Sequence, residues 1–450
     1  MNTDQKKLSL FALTWPIFIE TLLYMVMGNA DTLMLSQYSD HSVAAVGVAN
    51  QIIAMIIVMF NFIALATAVL VAQYLGAERK QHAVEVSLIS IAVNFLFGLV
   101  LSSVLFFFGK PILYTMKLSN HLLTEANDYL MIVGGFLFIQ ALIMTIGAIL
   151  KSYGFTRETM YVTIGMNILN VIGNYLFIFG PFDFPVLGVK GVAISTTVSR
   201  LIGLIVIFSL LLKRTKMPFS LSVLRSLPFH HIRDLLKIGI PSAGEHLAYN
   251  TAQMLITYFI TWLGAEALTT RVYTQNIMMF VFLFGIAISQ GTQILVGHLV
   301  GAGRYTEAYT RCLKSLRSAI VISITMASIS FIFSRQLLSL FTDNEQIIET
   351  GRLLLLLTIV LEPGRSFNLV IISSLRAAGD VKFPVYMGIL SMWGVSVAIS
   401  YFLGIEAGLG LIGVWISFIA DEWLRGLLML WRWRSKVWMR KSLIPSIETA

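Results

Sequence analysis

The chain has 450 residues, 57% hydrophobic and only 12% charged, with a mean hydropathy of +0.81 and a formal net charge of +9. Soluble domains carry about 25% charged residues, so the composition excludes one and predicts a polytopic membrane protein. The basic residues lie in short segments between apolar runs, where orientation signals belong, which argues against a nucleic-acid partner; the single cysteine, Cys312, and the lack of a Cys/His cluster give no support to a disulfide or a structural metal.

The N-terminal Met1 to Lys7 precedes a long apolar run without a small-residue cleavage pattern, which reads as a first membrane helix and not as a removed signal peptide. Runs long enough to cross about 30 Å of hydrocarbon occur near 8–37, 43–75, 84–109, 121–150, 159–180, 189–213, 236–263, 267–300, 316–341, 346–375, 382–405 and 409–431. Of the 32 lysines and arginines, 23 fall on the side of the N-terminus and 6 on the other. The positive-inside rule then predicts that both termini are cytoplasmic.

The first span carries two carboxylates. At 100° per residue Glu20, Tyr24, Met27 and Asp31 form one helical stripe, with the acids roughly 16 Å apart along the axis. Placing a carboxylate in hydrocarbon costs at least about 2.5 kcal/mol, so such acids usually serve an ion or substrate path, and Asp31 is the leading candidate. Pro16, on the same helix, removes a backbone donor and is expected to act as a hinge.

Farther along, Thr67 to Arg79 (TAVLVAQYLGAER) matches Thr292 to Arg304 (TQILVGHLVGAGR) at a separation of 225 residues. The same shift takes Pro16 to Pro241, Glu20 to Glu245, Tyr24 to Tyr249, Lys151 to Arg376 and Gly154 to Gly379. The expected fold is therefore all-α, with twelve transmembrane helices in two six-helix lobes. Because six is even, the copies run in the same sense, and their pseudo-two-fold axis is expected along the membrane normal. The lobes are expected at 1–212 and 236–450, joined by a cytoplasmic linker over 213–235. The position matching Asp31 is Ile256, so only the first lobe keeps the deeper acid.

On the fifth span Asn170 and Asn174 lie one turn apart and suit a polar pocket. Glu362 with Arg365, and Glu422 with Arg425, have the i, i+3 spacing of helix-surface ion pairs and read as structural. No nucleophile constellation, phosphate-cradling loop or soluble domain is present, so the chain is not read as an enzyme or as a self-contained ATP-driven pump.

Trp15-Pro16, Ala30-Asp31-Thr32-Leu33-Met34, Gln73-Tyr74-Leu75-Gly76-Ala77 with its copy at Gly297 to Gly303, Asn174 to Gly180, and Ser374 to Asp380 resemble the multidrug and toxic compound extrusion (MATE) family, in particular its DinF-like branch. The resemblance covers the whole chain. It implies a cation-coupled antiporter in which the acid matched by Asp31 takes the coupling ion, the proline matched by Pro16 bends helix 1, and Glu245 answers to an acid of the second lobe. Members of the family often carry Asp where this chain has Asn174, a departure that favours proton over sodium coupling.

The expected function is export of organic cations or amphipathic drugs by alternating access, with passage of a lipid-linked or lipopeptide substrate as the alternative. Asp31 and Glu245 are expected to couple the cation; Glu20, Tyr24, Met27, Asn170, Asn174 and Tyr249 to line the substrate path; and Pro16 and Pro241 to act as hinges. No cofactor is expected beyond the coupling H+ or Na+. The partners are small organic cations and membrane lipid, and the protein is expected to be a monomer in a bacterial cytoplasmic membrane.

Overall fold

A computed structural model of the chain describes residues 8–116, 118–215 and 229–444. Among them every regular element is helical. Helices α1 (Leu10–Ser36), α2 (Asp40–Gly76) and α3 (Lys80–Thr115) are followed by α4 (Asn120–Tyr129), which runs through a π-helical turn into α5 (Phe138–Ser152). Then come α6 (Thr156–Phe179), α7 (Val189–Thr215), α8 (Phe229–Thr261), α9 (Ala265–Gly301), α10 (Tyr305–Ile332) and the short α11 (Ser334–Ser339). Helix α12 (Glu345–Ala377) precedes α13 (Lys382–Ser391), which continues through two π-helical turns to Glu406, and α14 (Gly410–Arg434) ends the bundle.

Among the described residues nine helical spans are long and apolar enough to cross a bilayer, and Asn120–Gly134 with Phe138–Ser152, bent by 43°, makes a tenth. The other two of the twelve expected spans are α8 and α14, of 33 and 25 residues. Polar residues lower their hydropathy: Glu245, His246, Asn250 and Gln253 on α8, and Asp421, Glu422 and Arg425 on α14. The expected span 316–341 is displaced, because the helix begins at Tyr305. Its first turns carry Arg311, Lys314 and Arg317, which an apolar window passes over.

Local chemistry accounts for several boundaries. Asn344 caps α12, its Oδ1 accepting from the backbone N–H groups of Gln346 and Ile347 at 2.9 and 3.4 Å. Gly154 and Gly379, related by the 225-residue shift, end α5 and α12 at φ of 88° and 89°, a left-handed conformation that favours glycine.

The chain packs as two units. One comprises Met1–Phe18, Ala72–Glu78 and Ile240–Ala450, the other Ile19–Val71 and Arg79–Gly239. This division differs from the lobes drawn at 212 and 236, since the ends of α1 and α2 group with the second half. Residues 216–228 of the expected linker lie outside the described residues, as do the first seven and last six residues. The chain passes from one unit to the other inside α1, two residues beyond Pro16, and inside α8, directly before Pro241. Both helices continue through their prolines.

In the unit containing residues 240–450, α12 is the central helix, packed against α9, α10 and α14. Its core joins Cys312, Phe367, Val370, Leu375 and Met429 to a stacked Trp433–Trp438 pair. Leu13 and Ile17 of α1 pack on Ala287, Ile294 and Leu295, which draws the start of α1 into this unit. A backbone contact does the same for the end of α2. A Cβ on Gly76 would lie 2.0 Å from the carbonyl oxygen of His298, and a Cβ on Gly301 would lie 1.9 Å from that of Gln73. Gly76 and Gly301 are repeat partners, as are Gln73 and His298, so each helix end seats its glycine on the other's backbone. Small residues allow such close approach between membrane helices. In the second unit α6 packs on α7, and α5 on both α3 and α7.

Backbone cannot yield as a flexible side chain does, so Gly301→Ala and Gly76→Ala should each cost at least about 1–3 kcal/mol. Gly47→Ala, where nothing lies within 4 Å of the added Cβ, should be near neutral. Thermal unfolding in detergent measures this; equal melting temperatures for all three variants would show that the helix ends are not held by this contact.

Candidate functional site

The acid on α1 singled out by sequence is buried in the unit of residues 19–71 and 79–239. Asp31 Oδ1 accepts from Asn174 Nδ2 at 2.6 Å, and the same amide nitrogen lies 3.5 Å from Asn170 Oδ1. Asn170 Nδ2 donates to Thr196 Oγ1 at 3.1 Å, and Ser195 Oγ donates to the Asn170 carbonyl at 2.9 Å. Thus α1, α6 and α7 enclose the carboxylate with neutral amide and hydroxyl groups. Asn174 Oδ1 is buried with no hydrogen-bond partner among the described residues, leaving an unused acceptor on the amide that binds Asp31. Arg200 on α7 acts on Asp31 through its positive charge without forming an ion pair with it within 4 Å.

Glu20, the other acid of the stripe, is differently placed. Lys151 Nζ lies 3.1 Å from Oε1, and Thr159 Oγ1 donates to Oε2 at 2.9 Å. Tyr24 is half-buried against the cluster of Ile139, Ile143, Val162 and Met166, so it is part of this unit's packing. Met27 is also half-buried.

In the other unit the repeat partner of Glu20 makes the repeat partner of its ion pair. Arg376 binds Glu245, and each pair joins residues 131 apart in sequence. The Glu245 carboxylate lies against Gly388, where an added Cβ would come within 3.3 Å of Oε1. Tyr249 and Asn250 are exposed, and Asn250 Nδ2 sits 2.9 Å from His246 Nδ1. Structure therefore gathers Asp31, Asn170 and Asn174 into one cluster, and places Glu20 and Glu245 in two equivalent ion pairs.

The pairs Glu362–Arg365 and Glu422–Arg425, expected as separate ion pairs on helix surfaces, form one continuous cluster that is buried except for the half-buried Arg365. Arg365 NH1 binds Glu362 Oε1 at 2.7 Å, and its Nε lies 3.6 Å from Glu422 Oε1. Arg425 binds Asp421 at 2.7 Å and Glu422 at 3.0 Å. Asn368 donates to Glu422 Oε2 at 2.9 Å, and Ser391 to Asp421 Oδ1 at 2.6 Å. The i, i+3 spacing was visible in sequence; that α12 and α14 turn these faces toward one another was not.

Among the described residues six acids are buried: Glu20, Asp31, Glu362, Asp380, Asp421 and Glu422. Five have a lysine or arginine within 4 Å, and Asp31 does not. No group of three or more His, Cys, Asp or Glu among the described residues is arranged to hold a metal ion.

The MatE family model matches residues 16–176 and again 241–402. The chain belongs to the MATE family. The two matches begin 225 residues apart, at Pro16 and Pro241, the spacing of the internal repeat. MATE proteins are membrane transporters. The chain is 58% identical to the uncharacterized transporter YisQ of Bacillus subtilis (strain 168), over 97% of this chain and 96% of that protein. It is 25% identical to the probable multidrug resistance protein NorM of Thermotoga maritima, over 97% and 94%. Its fold matches crystal structures of MATE in the bent and the straight conformation, each with a TM-score of 0.86 and 20% identity. The bent structure is matched over 95% of this chain and 94% of that one, the straight over 96% of both. Nothing in these likenesses distinguishes the DinF-like branch from other MATE proteins.

Removing one member of a buried ion pair strands the other charge. Glu20→Gln or Lys151→Gln alone should therefore destabilise by about 1–3 kcal/mol, less than a fully buried pair because Lys151 is 20% exposed. The double variant should recover most of that loss. A double-mutant cycle on thermal stability tests this, and additive losses would mean the pair is not coupled.

Proposed function

We propose that this MATE protein is a proton-coupled antiporter that exports organic cations or amphipathic compounds across the cytoplasmic membrane. The observation that carries the reading is that Asp31 is the buried acid without a cationic partner. A carboxylate already held by lysine or arginine must break a charge-assisted contact to take up another cation. Asp31, held by an amide, can gain and lose a proton while keeping its neighbours. Amphipathic substrates are favoured by the likeness to the probable multidrug resistance protein of Thermotoga maritima.

Proton coupling is preferred to sodium because the Asp31 cluster offers one carboxylate, with amide and hydroxyl groups around it. Glu245, expected from sequence as a second coupling acid, is assigned a structural role in this reading, since Arg376 neutralises it. Pro16 and Pro241 are kept as hinges because the chain passes between the packing units beside each. Cytoplasmic termini follow from the asymmetry of basic residues, and the protein is taken to work as a monomer.

Asp31→Asn is nearly isosteric and cannot exchange a proton, so it should insert and fold normally yet lose gradient-driven transport by at least about a hundredfold, the order expected when a proton-transfer group is removed. Proteoliposomes with imposed pH or sodium gradients provide the assay. Full pH-driven efflux by Asp31→Asn would remove Asp31 from the mechanism, and sodium-driven efflux by the wild type would replace the proton. Asn174→Asp brings a second carboxylate to Asp31 and should make transport depend on sodium or shift its pH profile; an unchanged profile would place Asn174 outside the coupling site.

A further inference from the structure

The transport reading makes no use of an exposed groove between α6 and α7. It has a volume of about 200 Å³ and is lined wholly by these two helices, with Tyr161, Gly165 and Leu169 on one wall and Ile202, Val206 and Leu210 on the other. Glycines create it. Gly203 admits Met166 as the floor, since a Cβ there would lie 2.2 Å from the Met166 sulfur, and Gly165 leaves open space, with nothing within 4 Å of an added Cβ. The rim is apolar and uncovered: Tyr161 is 62% exposed, Ile202 40% and Val206 43%. Each wall spans nine residues, or about 12 Å along its helix axis.

One end of this groove is positively charged. Helices α6 and α7 run antiparallel, so the start of α6 meets the end of α7, as the 2.9 Å pair between Glu158 and Arg214 shows. Arg157 lies one helical turn before Tyr161, and Lys213 and Arg214 lie one turn after Leu210, on the faces that form the walls. Arg214 is engaged by Glu158 and lies over the Phe155 ring. Arg157 and Lys213 are exposed, and neither is paired with a carboxylate among the described residues. The partial positive charge of the α6 N-terminus is offset by the partial negative charge of the α7 C-terminus beside it, so the charge of this end is that of its side chains. Tyr161, apolar in body with a polar tip, stands between the charged end and the groove, as tyrosines do at membrane interfaces.

We infer that this groove binds one anionic phospholipid, with an acyl chain along α6 and α7 and the phosphate at Arg157 and Lys213. A narrow apolar channel continuous with an unneutralised basic end is complementary to a lipid that is both chain-bearing and negatively charged. Polybasic contact with anionic lipid gains about fivefold in affinity per lysine or arginine, so two free cations select such a lipid over a zwitterionic one by about 25-fold. By the charge asymmetry of the chain, this end lies in the cytoplasmic leaflet.

The full-length protein in detergent would be titrated with phosphatidylglycerol and with phosphatidylcholine, reading bound lipid by native mass spectrometry and melting temperature in parallel. Phosphatidylglycerol should bind and stabilise about 25-fold more strongly. Arg157→Gln with Lys213→Gln should abolish that preference while leaving phosphatidylcholine binding unchanged. Gly165→Leu, which fills the groove where nothing lies within 4 Å, should weaken both lipids while preserving the lipid-free melting temperature. Equal binding of the two lipids by the wild type, or a preference that survives both variants, would overturn the inference. So would a Gly165→Leu variant that raises the KM for drug efflux with lipid binding unchanged, which would make the groove part of the substrate path. These readouts do not depend on the coupling ion, so failure of the proton reading would leave them standing.

Discussion

The fold depends on what each carboxylate in its membrane helices is given in place of water. An ionised acid in hydrocarbon is too costly to persist unless a cation or several donors replace its hydration. This chain sets a built-in cation beside its other membrane acids: Lys151 at Glu20, Arg376 at the half-buried Glu245, Arg365 and Arg425 shared among the three acids of α12 and α14, and Arg432 at Asp380. Once paired, such acids hold helices together and no longer need an ion from solution. Asp31 has no lysine or arginine within 4 Å among the described residues; Asn174 holds it, and Arg200 acts on it from farther off.

Duplication explains which of these devices recur. The Glu20–Lys151 and Glu245–Arg376 pairs, the glycines at 154 and 379, and the reciprocal seats of Gly76 and Gly301 occur in both copies because each stabilises the same packing step. Asp31 has no counterpart, its position being filled by Ile256, which is fully buried in an apolar cluster. The copies thus share these contacts and differ at other acids as well as Asp31: the repeat positions of Glu362, Asp380, Asp421 and Glu422 hold Leu137, Phe155, Ser199 and Arg200. Burial does not tell Glu20 from Asp31, since the two are almost equally buried; they differ in that Glu20 has Lys151 within 4 Å.

Much of this was legible in the sequence. Apolar runs gave the spans, the 225-residue shift gave the duplication, and helical spacing put Glu20 and Asp31 on one stripe. Partners distant in sequence were not legible: the shift carried Glu20 to Glu245 and Lys151 to Arg376, yet nothing in it showed that the members of each set touch. Likewise, i, i+3 spacing at Glu362–Arg365 and Glu422–Arg425 cannot say whether a face meets water or another helix. The bend in α4–α5 left no trace because π-helical turns there carry no proline and no break in hydrophobicity. Groupings of the ends of α1 and α2 were hidden for a similar reason, since they depend on glycine seats and apolar contacts far along the chain.

One consequence follows for energetics under the proposed reading. If Glu20 and Glu245 stay neutralised by Lys151 and Arg376, and the three carboxylates of the α12–α14 cluster, which share two arginines, keep one protonation state through the cycle, the moving inventory of charge reduces to Asp31. A carboxylate that holds a proton on one leg of the cycle and a monovalent cation on the other carries no net charge across the bilayer. Membrane potential, worth about 2.3 kcal/mol per charge per 100 mV, then contributes nothing, and each pH unit supplies about 1.4 kcal/mol. The cluster on α12 and α14 would thereby bear on the stoichiometry as directly as Asp31 does: its two arginines leave one of three carboxylates uncompensated, and exchange stays at one proton only while that carboxylate does not change protonation during the cycle.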